Sequence, residues 1–293
     1  MIEFVIQTWT ILVEILTEPW SREAILTSTV AGLCLGLLGV YVVSRRMVFI
    51  SAALTQSAAL GVALAFIALG FFGWTGVVMD ILPPVGGIVL SFVVVAALLY
   101  AEEIPRLSRD AVLGIGFIVP MALVFLLLPM FPHELHEVEA VINGVAVMVE
   151  PVDMYAIAAV TLLVVAVQVY GFRGFVFASL DPLVARSQGV PVRAINGVLF
   201  GAVALMTALA TRALGPLPTF GLTVLPAIGA LGLNVGLKWV FVLSAVGGAG
   251  CGFVGYVLAY GVDWSVGATQ TLVAAALAIL LRLAGAIHRR VIR

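Results

Sequence analysis

Charge is what this chain has least of. Only 10% of its 293 residues are Asp, Glu, Lys or Arg, where a soluble domain carries about a quarter. With 63% hydrophobic residues and a mean hydropathy of +1.24, there is too little polar surface for a water-soluble fold. Cysteine is nearly absent. Cys34 and Cys251 each sit inside an apolar run, without the C-x-x-C spacing of a redox or zinc site, and read as small buried hydrophobes. No G-x-x-x-x-G-K-[ST] loop is present, so the chain does not hold nucleotide by that motif. No nucleophile–base constellation is present either, and no enzyme active site is expected. A net charge of −1 says little about partners, and no nucleic-acid partner is expected. Carboxylates well inside the apolar runs are missing too, which argues against an ion-driven carrier, because such groups mark ion pathways.

What remains is apolar length. A bilayer-spanning helix needs about 20 largely apolar residues, and runs of that kind recur near 25–44, 51–72, 84–100, 111–129, 153–171, 195–213, 217–233, 239–260 and 266–284. The expectation is an all-α, polytopic transmembrane bundle of eight to nine spans, in one domain embedded in the lipid bilayer. The run at 217–233 is the exception. Gly215-Pro216-Leu217-Pro218 precedes it and Pro226 interrupts it, so 195–233 reads as nine-span geometry or as one span plus a re-entrant piece. Residues 1–19 differ again. Glu3, Gln7, Glu14 and Glu18 interleave with apolar residues up to Pro19, the pattern of an amphipathic interfacial helix.

The basic residues are segregated. Arg45, Arg46, Arg106, Arg109, Arg173, Arg186, Arg193, Lys238, Arg289, Arg290 and Arg293 fall on one side of this layout, and only Arg22 and Arg212 lie near the other. The Lys/Arg-rich side is cytoplasmic. Loops 101–110 and 172–194 are then internal, and the loop 130–152 is external.

Within the internal loop, residues 178–193 predict a compact, polar, capped helix. Asp181 has the chemistry of an N-cap and Pro182 suits the first helical position. Gly189 supplies the left-handed residue that ends a helix, and Pro191 prevents it from resuming. Together with Arg186, this makes either a rigid handle for something outside the membrane or a plain linker. Elsewhere, Gly32, Gly36 and Gly39 in the first span and Gly247, Gly248, Gly250, Gly252 and Gly255 in the eighth give small-residue faces, expected in the bundle interior. Gln168 and Asn196 read as helix-bridging residues, Arg282 as a snorkelling side chain, and Arg212 as the partner of an acidic group or a cap. In the external loop, His133, His136 and Glu137 share a helical face that suits a divalent cation. The run is not H-E-x-x-H, and a solvated acidic loop is the simpler reading, since metal sites usually need three or four ligands.

Four segments, in order, resemble the permease subunit of bacterial ABC importers for zinc, manganese or iron, the ABC-3 family. They are Gly36-Leu37-Leu38-Gly39 through Ser44-Arg45-Arg46-Met47, Leu180-Asp181-Pro182 with Gly189-Val190-Pro191, Leu225-Pro226-Ala227, and Gly255-Tyr256 through Asp263 to Gly267-Ala268-Thr269. The resemblance implies a multi-pass protein of the bacterial cytoplasmic (inner) membrane, paired with a second copy or a paralogue. It implies a separate cytoplasmic ATPase that binds the ATP, and an extracytoplasmic solute-binding protein. Residues 181–189, with Asp181, Pro182, Arg186 and Gly189, would be its coupling helix.

The chain departs from the family at one point. After the Arg-Arg-Met turn the family reads Gly-Asp-x-x-Ser-His, whose Asp and His are metal ligands four apart on one helix face. Here the segment is Ser51-Ala52-Ala53-Leu54-Thr55-Gln56. Alanine cannot ligate, and an amide oxygen is a poor partner for a borderline-soft ion. Ser51, Thr55 and Gln56 either line a hydrated path or bond neighbouring helices. The residues leave three readings open: a different cargo such as a metal chelate, a second permease that holds the ligands, or ATP-driven motion kept for signalling or assembly.

Overall fold

A computed structural model of the chain describes residues 17–73, 76–101, 108–127, 149 and 151–291. Most of the N-terminal amphipathic segment lies outside these residues, as do Glu102, Glu103, His133, His136, Glu137 and most of the loop that carries the last three. Among the described residues every element is helical: α1 (Pro19–Ser44), α2 (Val48–Phe72), α3 (Val77–Ala101), α4 (Arg109–Leu127), α5 (Pro151–Tyr170), α6 (Phe172–Leu180), α7 (Pro182–Ser187), α8 (Val192–Leu214), α9 (Pro216–Leu231), α10 (Leu237–Val262) and α11 (Val266–Val291).

Eight of these are long and apolar enough to cross a bilayer, and the chain is a multi-pass membrane protein. The remaining run, 217–233, became α9, with 16 residues. At 1.5 Å per residue it reaches about 24 Å, short of the roughly 30 Å hydrocarbon core. Gly215 makes the break before it, at φ +94°, and Pro216 takes the first helical position, where its missing N–H costs nothing. Pro226, expected to interrupt, sits buried inside an unbroken helix.

Two boundaries also moved. The first span starts at Pro19 rather than 25, because Ser21, with its hydroxyl on the Glu18 carbonyl at 3.1 Å, is buried instead of solvated. The third starts at Val77, and so carries Pro83 and Pro84 in its interior. Each proline removes one i→i−4 donor, leaving carbonyls one turn back without their helical partner.

The core is centred on α1, which packs most extensively on α10 and also meets α5, α8 and α9. Small residues make the α1–α10 contact possible. A Cβ at Gly32 would meet the Gly248 carbonyl, one at Gly36 the Ser244 carbonyl, and one at Gly252 the Ser28 carbonyl. The Ser244 hydroxyl donates to the Gly36 carbonyl at 2.6 Å across the same seam. The glycine faces are therefore interior. Gly250 is the exception, with open space beside it.

Polar side chains link further pairs of helices. Ser57 donates to the Gly116 carbonyl (3.1 Å), Ser91 to that of Leu54 (3.3 Å) and Gln270 to that of Gly252 (3.1 Å). Arg282 does more than snorkel: its Nε donates to the Ile228 carbonyl at 3.3 Å, one of the orphan acceptors at the end of α9.

The segregated cations make an expected result for the orientation. Single cysteines at Ser108 or Glu139, in a background without the two buried native thiols, should label with an impermeant reagent in intact cells only at Glu139. Strong labelling at Ser108 would reverse the assignment of sides.

Candidate functional site

The internal loop folds as two short helices rather than one. Residues 178–180 close α6, and the helix that follows Asp181 is the six-residue α7. Asp181 serves both. Its N–H donates to the Phe177 carbonyl (3.1 Å) at the end of α6, while its carboxylate accepts from the Val184 N–H (3.0 Å) at the start of α7. The exit is a Schellman motif. The Gly189 N–H donates to the Arg186 carbonyl and the Val190 N–H to the Ala185 carbonyl, each at 3.0 Å, with Gly189 at φ +78°. Ala185 is fully buried against Ala178 and Val192. Leu180, Leu183 and Val184 face outward, Leu183 76% exposed. A helix this short has little stability of its own; caps at both ends and one buried residue hold it.

A residue read from the sequence as a topological charge and as part of the first family-like segment turns out to anchor this loop. Arg45, just past the end of α1, donates from Nε to the Ser179 hydroxyl (2.9 Å) and from Nη1 to the Asn196 amide oxygen (2.6 Å). Its guanidinium lies 5.5 Å from the centre of the Phe200 ring. One planar fork thus ties α1, α6 and α8 together, and Asn196 is the bridging residue expected. Arg45, Arg46 and Arg186 border a polar cavity of about 370 Å³ beside α7. The doubled arginine at the end of the first span was the available signal.

A second cavity, about 350 Å³, lies between α2, α4 and the start of α9. Ala52, Thr55, Gln56 and Ala59 contribute one helix face to it, as the four-residue spacing requires. Thr55 is nevertheless turned back onto its own helix, donating to the Ala52 carbonyl at 2.9 Å. Ser51 does not line this cavity; fully buried, it donates to the Val48 carbonyl at 3.3 Å. The other walls are apolar: Phe49, Phe117, Met121, Phe125, Leu217 and Phe220. Gln56 is the one amide in a pocket whose lining is otherwise aliphatic and aromatic apart from Thr55. Among the described residues no three His, Cys, Asp or Glu side chains converge on a metal-sized point.

At the opposite end of the bundle Arg212 does find an acidic partner. Its Nη1 lies 2.7 Å from the Asp153 carboxylate, with both side chains 11% exposed. The same nitrogen donates to the Asp80 carbonyl at 3.3 Å. That carbonyl is the one whose helical donor Pro84 removes, four residues on. Arg212 on α8 therefore satisfies a defect in α3 and is charge-balanced by α5.

Comparison with known proteins follows this geometry. A family model described as the ABC 3 transport family matches residues 18–284. The chain is 26% identical over 262 residues to the manganese transport system membrane protein MntD of Bacillus subtilis, covering 85% of each chain. It is 22% identical over 265 residues to the manganese transport system membrane protein MntC of Halalkalibacterium halodurans, covering 90% of this chain and 87% of that one. Among solved structures it superposes on a chain of PsaBC from Streptococcus pneumoniae in complex with Fab. The TM-score is 0.79 at 21% identity, over 93% of this chain and 94% of that one, which is a likeness of fold.

Proposed function

The chain belongs to the ABC 3 transport family, and from that premise we propose that it is the permease of an ATP-driven importer in the bacterial cytoplasmic membrane. The ATPase is a separate cytoplasmic subunit, a second permease chain completes the path, and an extracytoplasmic binding protein delivers the cargo. The observation that carries this reading is α7: a short helix, capped at both ends, that with the end of α6 offers Leu180, Leu183 and Val184 to solvent and is flanked by α6 and α8, both tied to the end of the first span through Arg45. An apolar face on a braced element suits a partner that pushes, and Arg45 gives the push a route into α1 and α8.

Relatives named for manganese transport support a divalent metal as the ancestral cargo. One observation favours a second reading, import of a metal chelate or another solute. The face carrying Ala52 and Gln56 opens into a cavity walled by aromatic and aliphatic side chains, which suits an apolar-skinned molecule better than a bare ion. His133, His136 and Glu137 would then collect ions or meet the binding protein outside the membrane.

Coupling is tested on α7. Asp181→Ala removes a cap worth about 0.5–2 kcal/mol, and Gly189→Val forces a β-branched residue to positive φ. Both variants are expected to insert and fold, since neither side chain enters the bundle core, and to lose ATPase association or stimulated hydrolysis, Gly189→Val more severely. Unchanged assembly and hydrolysis in both would leave α7 a linker.

A further inference from the structure

Away from the cavity at Gln56, α1, α5, the start of α6 and α10 line a groove of about 470 Å³. Its walls are almost entirely apolar, among them Leu33, Leu37, Val242 and Val246. The floor is aromatic: the Phe241 ring centre lies 4.7 Å from that of Tyr41, tilted, and 5.3 Å from that of Phe172, edge-on. Besides Lys238, two polar side chains line this groove, and neither makes a hydrogen bond among the described residues. Gln168, 2% exposed, has both its amide oxygen and its amide nitrogen unbonded, and the Tyr41 hydroxyl is unbonded on a residue 2% exposed. The expectation that Gln168 bridges helices is thus not met. A buried amide with neither end satisfied is costly and rare in native proteins, and where it occurs it calls for a ligand or another cause.

The mouth of the groove is basic. Lys238 lines it, and lines with Arg173 a wider adjoining opening of about 840 Å³ that shares Val169 and Phe172. Both cations are exposed. All these groups lie at the same end of the bundle. Gln168 is two residues from the end of α5, Tyr41 three from the end of α1, and Lys238 is the second residue of α10. Tyr170 and Trp239 stand exposed beside them, as aromatic side chains do at the headgroup level.

The sequence of chemistry along the groove is therefore cationic at the mouth, hydrogen-bonding two to three residues inside the ends of α5 and α1, and apolar beyond. A phospholipid has this order: phosphate, glycerol esters, acyl chains. We propose that the groove is a binding site for one anionic phospholipid. Lys238 and Arg173 meet the phosphate, Gln168 and Tyr41 donate to ester carbonyls, and an acyl chain lies along Leu33, Leu37 and Val246. Anionic lipid concentrates in the cytoplasmic leaflet, the side on which the segregated cations put this end. Occupancy would bind α5 to α1 and α10 and so stiffen the helix that runs directly into the α6–α7 loop.

The test uses the chain purified from membranes in mild detergent, with native mass spectrometry of retained lipid. Thermal unfolding is followed after delipidation and addition of dioleoyl phosphatidylglycerol, dioleoyl phosphatidylcholine or inorganic phosphate. The wild-type chain should retain one phosphatidylglycerol, and that lipid should raise its Tm while phosphatidylcholine and phosphate do not. Lys238→Glu and Gln168→Leu should each weaken retention at least tenfold and abolish the Tm gain. Gln168→Leu also separates binding from folding, since it removes an unsatisfied amide and should leave the delipidated chain at least as stable as wild type. Equal retention in wild type and both variants, a Tm gain reproduced by phosphate, or a second copy or co-purifying peptide in the groove instead of lipid would overturn the proposal.

Discussion

Asp153→Leu should destabilise the permease by about 3–5 kcal/mol, the cost of leaving one buried charge without its partner. Arg212→Leu should cost at least as much, because Arg212 serves two acceptors, the Asp153 carboxylate at 2.7 Å and the Asp80 carbonyl at 3.3 Å. The double variant distinguishes the two contributions. With both charges gone the electrostatic penalty disappears, yet the Asp80 carbonyl still lacks the donor that Pro84 denies it. A residual loss of about 1–3 kcal/mol should remain. Denaturant titration or thermal unfolding of the four chains gives the coupling energy of the pair. Additive single losses, within about 0.5 kcal/mol, would show that Arg212 and Asp153 act independently. The consequence for transport is mechanical. α3, α5 and α8 meet at this one guanidinium, so a chain that loses it should lose cargo delivery even where it still inserts.

The residues explain which parts of this arrangement were legible beforehand. Hydropathy located every span, because about 20 apolar residues in a row have few alternatives to crossing a bilayer. The caps of α7 were legible because each is a local rule: Asp181 and Pro182 at the entry, Gly189 at the exit. The glycine seam of α1 and α10 was legible for the same reason, since small residues at helical spacing mark close approach. What could not be read was the pairing of distant residues. Nothing near Arg45 in the chain announces Ser179 and Asn196, 134 and 151 positions away. Nothing near Pro84 announces Arg212. The boundary of α3 failed for a related reason: a proline pair normally starts or breaks a helix, and here a side chain from another helix makes up for part of what the prolines remove. Ser51 and Thr55 were read either as path-lining or as helix-bonding hydroxyls; both donate backward to their own helix, the local habit of Ser and Thr in apolar surroundings, while Thr55 still borders the cavity. Gln168 was expected to bridge helices, and its amide instead fronts the groove between α1, α5 and α10 without a hydrogen bond.

The cargo is decided on the face that carries Ala52 and Gln56. Ala52→Asp with Gln56→His should convert a chain that retains no zinc or manganese at this position into one that retains either, measured by plasma mass spectrometry of the washed complex. Both positions line the same cavity, and a separation of four residues stacks their side chains one helical turn apart. Two ligands from one chain bind a divalent ion weakly, since such sites usually need three or four; a second permease copy would complete the set if the two cavities face each other. The surroundings sharpen the expectation. Phe49, Phe117, Phe125 and Phe220 give the new carboxylate few polar neighbours, so without metal its charge is costly there. The variant should therefore unfold at lower temperature than wild type in chelator and regain most of the difference in added zinc. Wild type, with only an amide on this face, should show no such metal dependence. Metal retention by the variant would mean that the route is intact and only its ligands were exchanged, leaving a chelate or other solute as the cargo of the native chain. Equal metal content and equal stability, with and without zinc, would mean that these cavities do not converge on a path, and the translocation route would have to be sought elsewhere in the same family scaffold.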